Sequence, residues 1–232
     1  AGIPVTNTPG GLTQSVAEHT AALAVALAKR VTESDNFTRK GSYKGWEPML
    51  LLGTELKGKT FGVVGLGRIG SAVADIMHKG FGMDIVYFDI KKNKAFEKRL
   101  KASFEGVPQL LKKSDIVSIH VPLLDSTHHL IGARQFRSMK KSALLVNTSR
   151  GPVVDEKALV TALKNKTIRG AALDVFEFEP KLTKGLAKLP NVILTPHTAS
   201  ATEEAREAMS LIAAENILAV LSGKKPKYLV KK

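Results

Sequence analysis

The segment Gly65-Leu66-Gly67-Arg68-Ile69-Gly70 constrains the fold of this chain more than any other feature. A short apolar run, residues 60–64, precedes it, and a helical pattern follows it. A second apolar run, Asp84 to Phe88, ends in Asp89, nineteen residues after Gly70. This spacing of strand, turn, helix, strand and acid is the layout of a dinucleotide-binding unit. The sequence therefore predicts that a dinucleotide binds over this glycine loop.

Each glycine of the loop has a separate task in such a unit. Gly65 allows the tight turn, Gly67 lets the backbone approach the pyrophosphate, and Gly70 lets the helix pack closely on the strand. Backbone N–H groups at the helix start face the phosphates. Asp89 is expected to accept hydrogen bonds from the hydroxyls of the adenosine ribose. Its carboxylate would repel a 2′-phosphate, so we expect NAD rather than NADP, although Lys91-Lys92 weaken that preference.

Short apolar runs alternate with helical patterns along most of the 232 residues. The runs are apolar throughout, as expected of parallel strands that are covered on both faces. Alternation of this kind predicts an α/β fold with a doubly wound parallel sheet, that is, a Rossmann-type NAD-binding domain. The predicted strands are 60–64, 84–88, 115–121, 143–147, 170–175 and 192–194, and the predicted helices between them include 71–77, 107–113, 134–139 and 155–164.

Two parts of the chain stand outside this alternation. A helix is predicted from Thr13 to about Val31, and a looser arm, residues 34–56, follows it and carries Trp46, the only tryptophan. Trp46 either contacts a partner subunit or covers the core of its own chain. At the other end, Ala201 to Leu221 is predicted to form a long amphipathic helix. We therefore divide the chain into a dinucleotide-binding domain, 1–200, with an N-terminal helix and dimerisation arm, 13–56, and a C-terminal helix and tail, 201–232.

The composition narrows the set of partners and locations. The formal net charge is +14, but the lysines are scattered in pairs without an interleaved aromatic series, so we expect no nucleic-acid partner. The positive surface instead suits an anionic cofactor and substrate. There is no cysteine, which fits a reducing compartment, and no apolar run reaches the ~18 residues of a membrane span. We expect a cytoplasmic protein without a bound metal, and, because the chain starts at Ala1 rather than Met, a fragment of a longer one.

Three predicted strands deliver chemically useful side chains to one edge of the sheet. Arg150 follows the strand 143–147, Glu179 follows the strand 170–175, and His197 follows the strand 192–194. Because ligands bind outside the carboxyl ends of the strands in such sheets, these side chains should meet the glycine loop there. A cation, a carboxylate and an imidazole beside a nicotinamide are suited to redox chemistry on a carbonyl group. Taken singly, each has a plain alternative: a surface salt bridge, a solvated loop acid and a helix cap.

The chain resembles the D-isomer-specific 2-hydroxyacid dehydrogenases over essentially its whole length. Within that family, Gly45-Trp46 and Ser200-Ala201-Thr202 look most like glyoxylate/hydroxypyruvate reductases (glycerate dehydrogenases), with phosphoglycerate dehydrogenases as the near alternative. The segments that carry the resemblance are Asn7 to Gly10, Val16 to Thr20, Leu56 to Thr60, Gly65 to Gly70, His120 to Pro122, Asn147 to Gly151, Leu173 to Phe176, Glu179-Pro180 and Pro196-His197.

The resemblance implies a role for each candidate residue. Arg150 would hold the substrate carboxylate and polarise the 2-oxo oxygen. His197 would donate the proton in reduction and accept it in oxidation, and Glu179 would hydrogen-bond its ring. The residues that the resemblance and the glycine motif together assign to the cofactor are Thr20, Gly65, Gly67, Arg68, Ile69, Gly70, Asp89, Pro122, Thr148 and Asp174.

The resemblance also implies a departure from the family pattern. Members carry a substrate domain that lies largely ahead of the segment matching Ala1 to Val5, so we expect that domain to be largely absent and the tail 224–230 to lie unpaired or to pack differently. Cofactor binding is then a firmer expectation than turnover. A second class of function is an alternative to the enzyme. Some proteins of this superfold are NAD-sensing transcriptional co-repressors that keep the same Arg, Glu and His residues.

Overall fold

A computed structural model of the chain describes residues 3–230 and contains one seven-stranded sheet in which every pairing is parallel. The strand order is β3-β2-β1-β4-β5-β6-β7, which extends the order of a Rossmann fold by one strand. Successive strands are added in one direction from β1 to β3 and in the other direction from β4 to β7, and such folds bind their ligands where this order reverses, between β1 and β4. The strands are β1 Thr60–Val64, β2 Asp84–Phe88, β3 Ser103–Phe104, β4 Ile116–Ile119, β5 Leu144–Asn147, β6 Gly170–Leu173 and β7 Val192–Leu194.

Helices cover both faces of this sheet. Three helices lie on one face: α1 Thr13–Ala28, α3 Arg68–Phe81 and α4 Lys94–Leu100. One apolar cluster packs them against the sheet. A second cluster packs α5, α6 and α7 on the opposite face, at Val107–Lys113, Ala133–Ser138 and Glu156–Lys164. The remaining helices are α2 Val31–Arg39 and α8 Glu203–Leu221, with 3₁₀ turns at Gly151–Val153 and Leu186–Lys188. Within residues 3–230, no helix combines the length and apolar character needed to cross a membrane.

Local side chains fix where several helices begin. The Asp155 carboxylate accepts a hydrogen bond from the N–H of Ala158 at 2.9 Å and caps α7. The Thr202 hydroxyl does the same for α8, accepting from the N–H of Ala205 at 3.2 Å. These caps satisfy backbone donors that have no partner inside the helix.

The predicted doubly wound sheet is confirmed, but the structure corrects several details. The arm predicted at 34–56 is not loose throughout, because its first residues belong to α2. β3 and α4 were not predicted at all. The helix predicted as amphipathic, α8, is apolar on both faces: it buries Ala205, yet leaves Leu211 and Leu218 exposed. The two predicted parts of the chain, 1–200 and 201–232, include residues 1, 2, 231 and 232, which lie outside the residues that the structure describes.

The two ends of the described chain are paired with each other. Thr6 and Leu229 form an antiparallel bridge, and the N–H of Val230 donates to the carbonyl of Val5 at 2.8 Å. Asn216 of α8 is buried beside this pair, and its side-chain oxygen accepts from the N–H of Tyr228 at 3.3 Å. The tail is therefore not unpaired, because it packs against the segment that leads into α1.

Candidate active site

The glycine loop between β1 and α3 has the shape that a pyrophosphate requires. Gly65 has a φ of +98°, and a Cβ there would lie 2.7 Å from the backbone of His120. A Cβ on Gly70 would lie 2.1 Å from the carbonyl oxygen of Gly65, so the helix and the loop can be this close only without a side chain. At Gly67, the residue that caps α3, a Cβ would meet nothing within 4 Å. The space beside this helix start is open, so the loop fits a dinucleotide phosphate.

Asp89, directly after β2, holds this loop from the side. Its Oδ2 accepts a hydrogen bond from the N–H of Leu66 at 2.6 Å, and its Oδ1 accepts from the N–H of Ile90 at 2.7 Å. Arg68 is exposed at the start of α3, and Ile69 beside it is half-buried. The carboxylate predicted to bind the ribose therefore holds the glycine loop in shape.

β4 delivers His120 beneath the glycine loop. The N–H of His120 donates to the carbonyl of Val64 at 2.7 Å, and its Nε2 lies 2.8 Å from the Ser118 hydroxyl. Burial of the ring lowers the pKa of His120 to about 3, so the imidazole is neutral at physiological pH. Pro122 follows in an exposed position on the same loop.

The turn after β5 presents Arg150 and is supported from below by α1. Asn147 shapes it: its Oδ1 accepts from the N–H of Ser149 at 3.0 Å, and its Nδ2 donates to the carbonyl of Arg150 at 3.0 Å. The hydroxyls of Thr148 and Thr20 lie 2.8 Å apart. Thr20 is fully buried and also donates to the carbonyl of Val16, so it lies under Thr148 rather than at the surface of the site.

Asp174, directly after β6, organises the turn that follows β7. Its carboxylate accepts a hydrogen bond from the Thr195 hydroxyl at 2.6 Å and from the N–H groups of Thr198 and Ala199 at 2.9 and 2.8 Å. Its backbone carbonyl accepts from the N–H of His197 at 2.8 Å. Burial opposes ionisation of this carboxyl, but the hydrogen bonds to it outweigh that effect and lower the pKa of Asp174 to about 2. A fixed negative charge thus underlies this part of the edge.

The side chains of His197 and Glu179, two of the predicted catalytic residues, are in contact. His197 Nδ1 lies 3.1 Å from Glu179 Oε2, and Glu179 Oε1 accepts from the N–H of Phe176 at 2.9 Å. His197 has a φ of +56°, a left-handed conformation held by the hydrogen bond from its N–H to Asp174. Glu179 orients the ring through Nδ1, which leaves Nε2 available to a ligand.

Arg150 reaches the same edge but not this pair. Its side chain is exposed, and its Nη1 donates to the carbonyl of Ser149 at 2.6 Å. In the part of the chain that the structure describes, no ion pair joins it to Glu179 or His197. An exposed guanidinium without a carboxylate partner remains free to bind an anionic substrate.

His19 is the residue at this edge to which sequence reasoning gave no role. Its Nε2 lies 3.2 Å from the Thr195 hydroxyl and 3.5 Å from Asp174 Oδ1. The segment Val16 to Thr20 stood out in the sequence, but nothing in it indicates that α1 brings His19 against the turn after β7. Only the packing of α1 across β5 and β6 reveals this contact.

Comparisons with known proteins agree with this geometry. The family model described as "D-isomer specific 2-hydroxyacid dehydrogenase, NAD binding domain" matches residues 21–199. The glyoxylate reductase of Aeropyrum pernix is 52% identical, with 99% of this chain and 70% of the relative covered, and that of Thermococcus litoralis is 49% identical, with 100% and 71% covered. A solved structure, the NAD-complexed D-isomer specific 2-hydroxyacid dehydrogenase of Lactobacillus delbrueckii ssp. bulgaricus, has a TM-score of 0.85 and is 34% identical over 99% of this chain and 72% of its own.

The matched region includes the glycine loop, Asp89 and the strand ends that carry Arg150, Glu179 and His197. The chain spans about 70% of the length of the curated relatives. Both the sheet and the sequence thus lead to the same conclusion: the chain belongs to the D-isomer specific 2-hydroxyacid dehydrogenase family and is an NAD(H)-linked oxidoreductase of small 2-hydroxy acids.

Proposed function

We propose that this protein reduces a small 2-oxo acid, glyoxylate or hydroxypyruvate, with NADH, and oxidises the matching 2-hydroxy acid, such as D-glycerate, in reverse. The observation that carries the proposal is the His197–Glu179 pair, 3.1 Å between Nδ1 and Oε2, at the same sheet edge as the glycine loop. The relatives named glyoxylate reductase support this choice of substrate.

Each side chain has a part in the reaction. His197 Nε2 donates a proton to the substrate carbonyl oxygen during reduction and takes it back during oxidation. Glu179 keeps the ring in the orientation that this transfer needs. Arg150 binds the substrate carboxylate and polarises the carbonyl, for which a guanidinium fork is suited. Bound NAD(H) supplies or accepts the hydride.

The cofactor lies along the carboxyl edge from β2 to β7. Asp89 binds the adenosine ribose and favours NAD(H) over NADP(H). The buried hydroxyl of Thr20 contributes by holding Thr148 in place. The residues that we assign to the cofactor site, besides Thr20, are Gly65, Gly67, Arg68, Ile69, Gly70, Asp89, Pro122, Thr148 and Asp174.

The arm, residues 34–56, is the basis for the proposed oligomeric state. Trp46 and Met49 are 82% and 75% exposed and lie three residues apart in the same arm, and grouped exposed apolar side chains mark protein contacts. A two-fold contact through α1 and residues 34–56 would cover them on both subunits, so the protein is a homodimer. In this view, residues 1–200 form the cofactor domain with its arm at 13–56, residues 201–232 form a separate C-terminal segment, and the enzyme works in the cytoplasm.

The test is NADH consumption by the complete protein that the gene encodes. Glyoxylate, hydroxypyruvate and 3-phosphohydroxypyruvate are compared by kcat/KM, with NADH binding measured separately by fluorescence. The proposal expects turnover with the first two and a clear preference for them over the phosphorylated acid. Preference for the phosphorylated acid would assign the protein to the phosphoglycerate dehydrogenases. Tight NADH binding with no turnover of any of the three would instead support a cofactor-sensing binding protein.

A further inference from the structure

His19 lies at the cofactor edge without a role in the reaction described above. It belongs to α1, its side chain is 25% exposed, and its Nε2 lies within 3.2 Å of Thr195 Oγ1 and 3.5 Å of Asp174 Oδ1. The Asp174 side chain is only 1% exposed. A histidine therefore joins a buried carboxylate through a shared hydroxyl, at the turn that presents His197.

The hydrogen-bond inventory of these three groups fixes the direction of the contact. The Thr195 hydroxyl has a single hydrogen, and it points to Asp174 Oδ1 across 2.6 Å. Thr195 therefore has only lone pairs to offer to His19, and an ionised Asp174 also can only accept. His19 Nε2 must carry a hydrogen and donate it towards this pair. This holds for the neutral ring and for the imidazolium alike.

The donated N–H changes the potential that Asp174 creates at the edge. A buried carboxylate favours a nearby positive charge, and a donor aimed at it offsets part of that effect. The nicotinamide ring is cationic in NAD⁺ and neutral in NADH. An edge with less negative potential therefore loses affinity for NAD⁺ relative to NADH.

We propose that His19 sets the relative affinity of the site for NADH and NAD⁺ by donating to the Thr195–Asp174 pair, and so favours the reduced cofactor. The inference rests on the proposed function, because it requires the nicotinamide to lie at the Asp174 end of the edge. His19 is a specificity-determining residue in this account and transfers no proton to the substrate. This role explains why a histidine lies beside a carboxylate that already accepts hydrogen bonds from three other donors.

The experiment measures the dissociation constants of NADH and NAD⁺ by fluorescence and calorimetry in the absence of substrate. His19→Leu removes the donor, and His19→Gln keeps an N–H of similar reach. His19→Phe, which keeps the ring without its nitrogens, replaces the leucine variant if that fails to fold. His78→Leu makes the same change on α3, where the ring forms a hydrogen bond with the carbonyl of Met83 at 2.8 Å, and serves as the matched control.

We expect His19→Leu to shift the ratio of the two constants towards NAD⁺ by roughly three- to tenfold, the effect of a partial charge over a few ångströms at an effective dielectric constant near 20. His19→Gln and His78→Leu should keep the wild-type ratio. An unchanged ratio in His19→Leu, or an equal loss of both affinities in the leucine and glutamine variants, would overturn the inference and leave His19 as a packing residue. Failure of the wild-type protein to bind either cofactor would instead overturn the proposed function itself.

Discussion

Single side chains at the carboxyl edge act largely through the backbone groups that they hold. Asp89 and Asp174 both directly follow strands, at the edge of the sheet where the sequence predicts a cofactor. Their hydrogen bonds to the N–H groups of Leu66 and Ala199 were not predictable, because those partners come from turns whose shape depends on the whole loop. The position of His19 was not predictable either, since its contact with Thr195 joins residues far apart in the chain.

The carboxylate of Asp89 should decide between the two nicotinamide cofactors. Because a carboxylate repels a 2′-phosphate, we expect NADH to bind at least about tenfold more tightly than NADPH, as measured by parallel fluorescence titrations. Asp89→Asn keeps an oxygen acceptor for the N–H of Leu66 and removes the charge, so it should narrow the gap while the loop stays intact. Equal or tighter NADPH binding by the wild-type protein would contradict the assignment.

The half-buried His120, whose pKa is lowered, should make the fold sensitive to moderate acid. Its pKa is lowered to about 3 from an ordinary 6.5, so below pH 6.5 the unfolded chain binds a proton that the folded chain does not. Stability is therefore complete above pH ~6.5 and falls as the pH drops towards 3.

A substitution isolates this effect of His120. In His120→Gln, the loss of unfolding free energy between pH 7 and pH 4 should be smaller by up to about 3 kcal/mol, measured by urea unfolding at both values. The carboxyl of Asp174, with a pKa of about 2, loses its contribution only below pH ~4, so the two windows separate. Parallel loss of stability in variant and wild type would show that His120 is not the group responsible.

At the scale of elements, the strands were the most predictable part of the fold. β1, β2 and β7 have the bounds that their apolar runs indicate, because these runs are buried on the sheet. β3 has only two residues, Ser103 and Phe104, too few for a pattern, and α4 is a short helix within a lysine-rich stretch. The amphipathic pattern predicted for α8 is wrong because its apolar residues lie both against the domain and in solvent.

The loop between β1 and α3 offers a paired test of shape against stability. A Cβ at Gly67 meets nothing within 4 Å, so Gly67→Ala should fold normally yet bind NADH at least about tenfold more weakly, because the methyl group occupies space that the phosphates need. A Cβ at Gly70 lies 2.1 Å from the carbonyl oxygen of Gly65, so Gly70→Ala should lose about 2 kcal/mol or more of unfolding free energy.

A third glycine provides the control for this pair. Gly80 lies on the exposed face of α3 with nothing within 4 Å of its Cβ position, so Gly80→Ala should be neutral or stabilising by up to about 1 kcal/mol. Calorimetric titration with NADH and thermal unfolding measure both properties on the same samples. Wild-type NADH affinity in Gly67→Ala would mean that the pyrophosphate lies elsewhere.

At the scale of the whole molecule, the predicted sheet is confirmed, whereas the homodimer predicted from the arm stays a prediction. The structure shows which residues of the arm are available: Trp46 and Met49 are exposed, and Leu51 is half-buried in a left-handed conformation. The exposed apolar side chains of the arm indicate a protein contact, and the oligomeric state in solution tests whether the partner is a second copy of the chain.

Light scattering at low micromolar concentration should give a dimer. Trp46→Glu combined with Met49→Glu should dissociate it, because burying two carboxylates in an apolar contact costs several kcal/mol. Ile90→Glu changes a side chain that is 90% exposed outside the arm and should leave the dimer intact. A wild-type monomer, or a dimer that survives the double substitution, would rule out the arm as the interface.

The central claim is that the His197–Glu179 pair carries out the proton transfer at the NAD(H) edge. The most direct measurement compares wild-type protein with His197→Gln in the complete gene product, following NADH oxidation by glyoxylate and NADH binding in parallel. The account predicts that turnover falls by about two to four orders of magnitude, the usual contribution of acid–base catalysis, while the NADH dissociation constant stays within about threefold. Turnover close to wild type in His197→Gln, with NADH still bound, would contradict it.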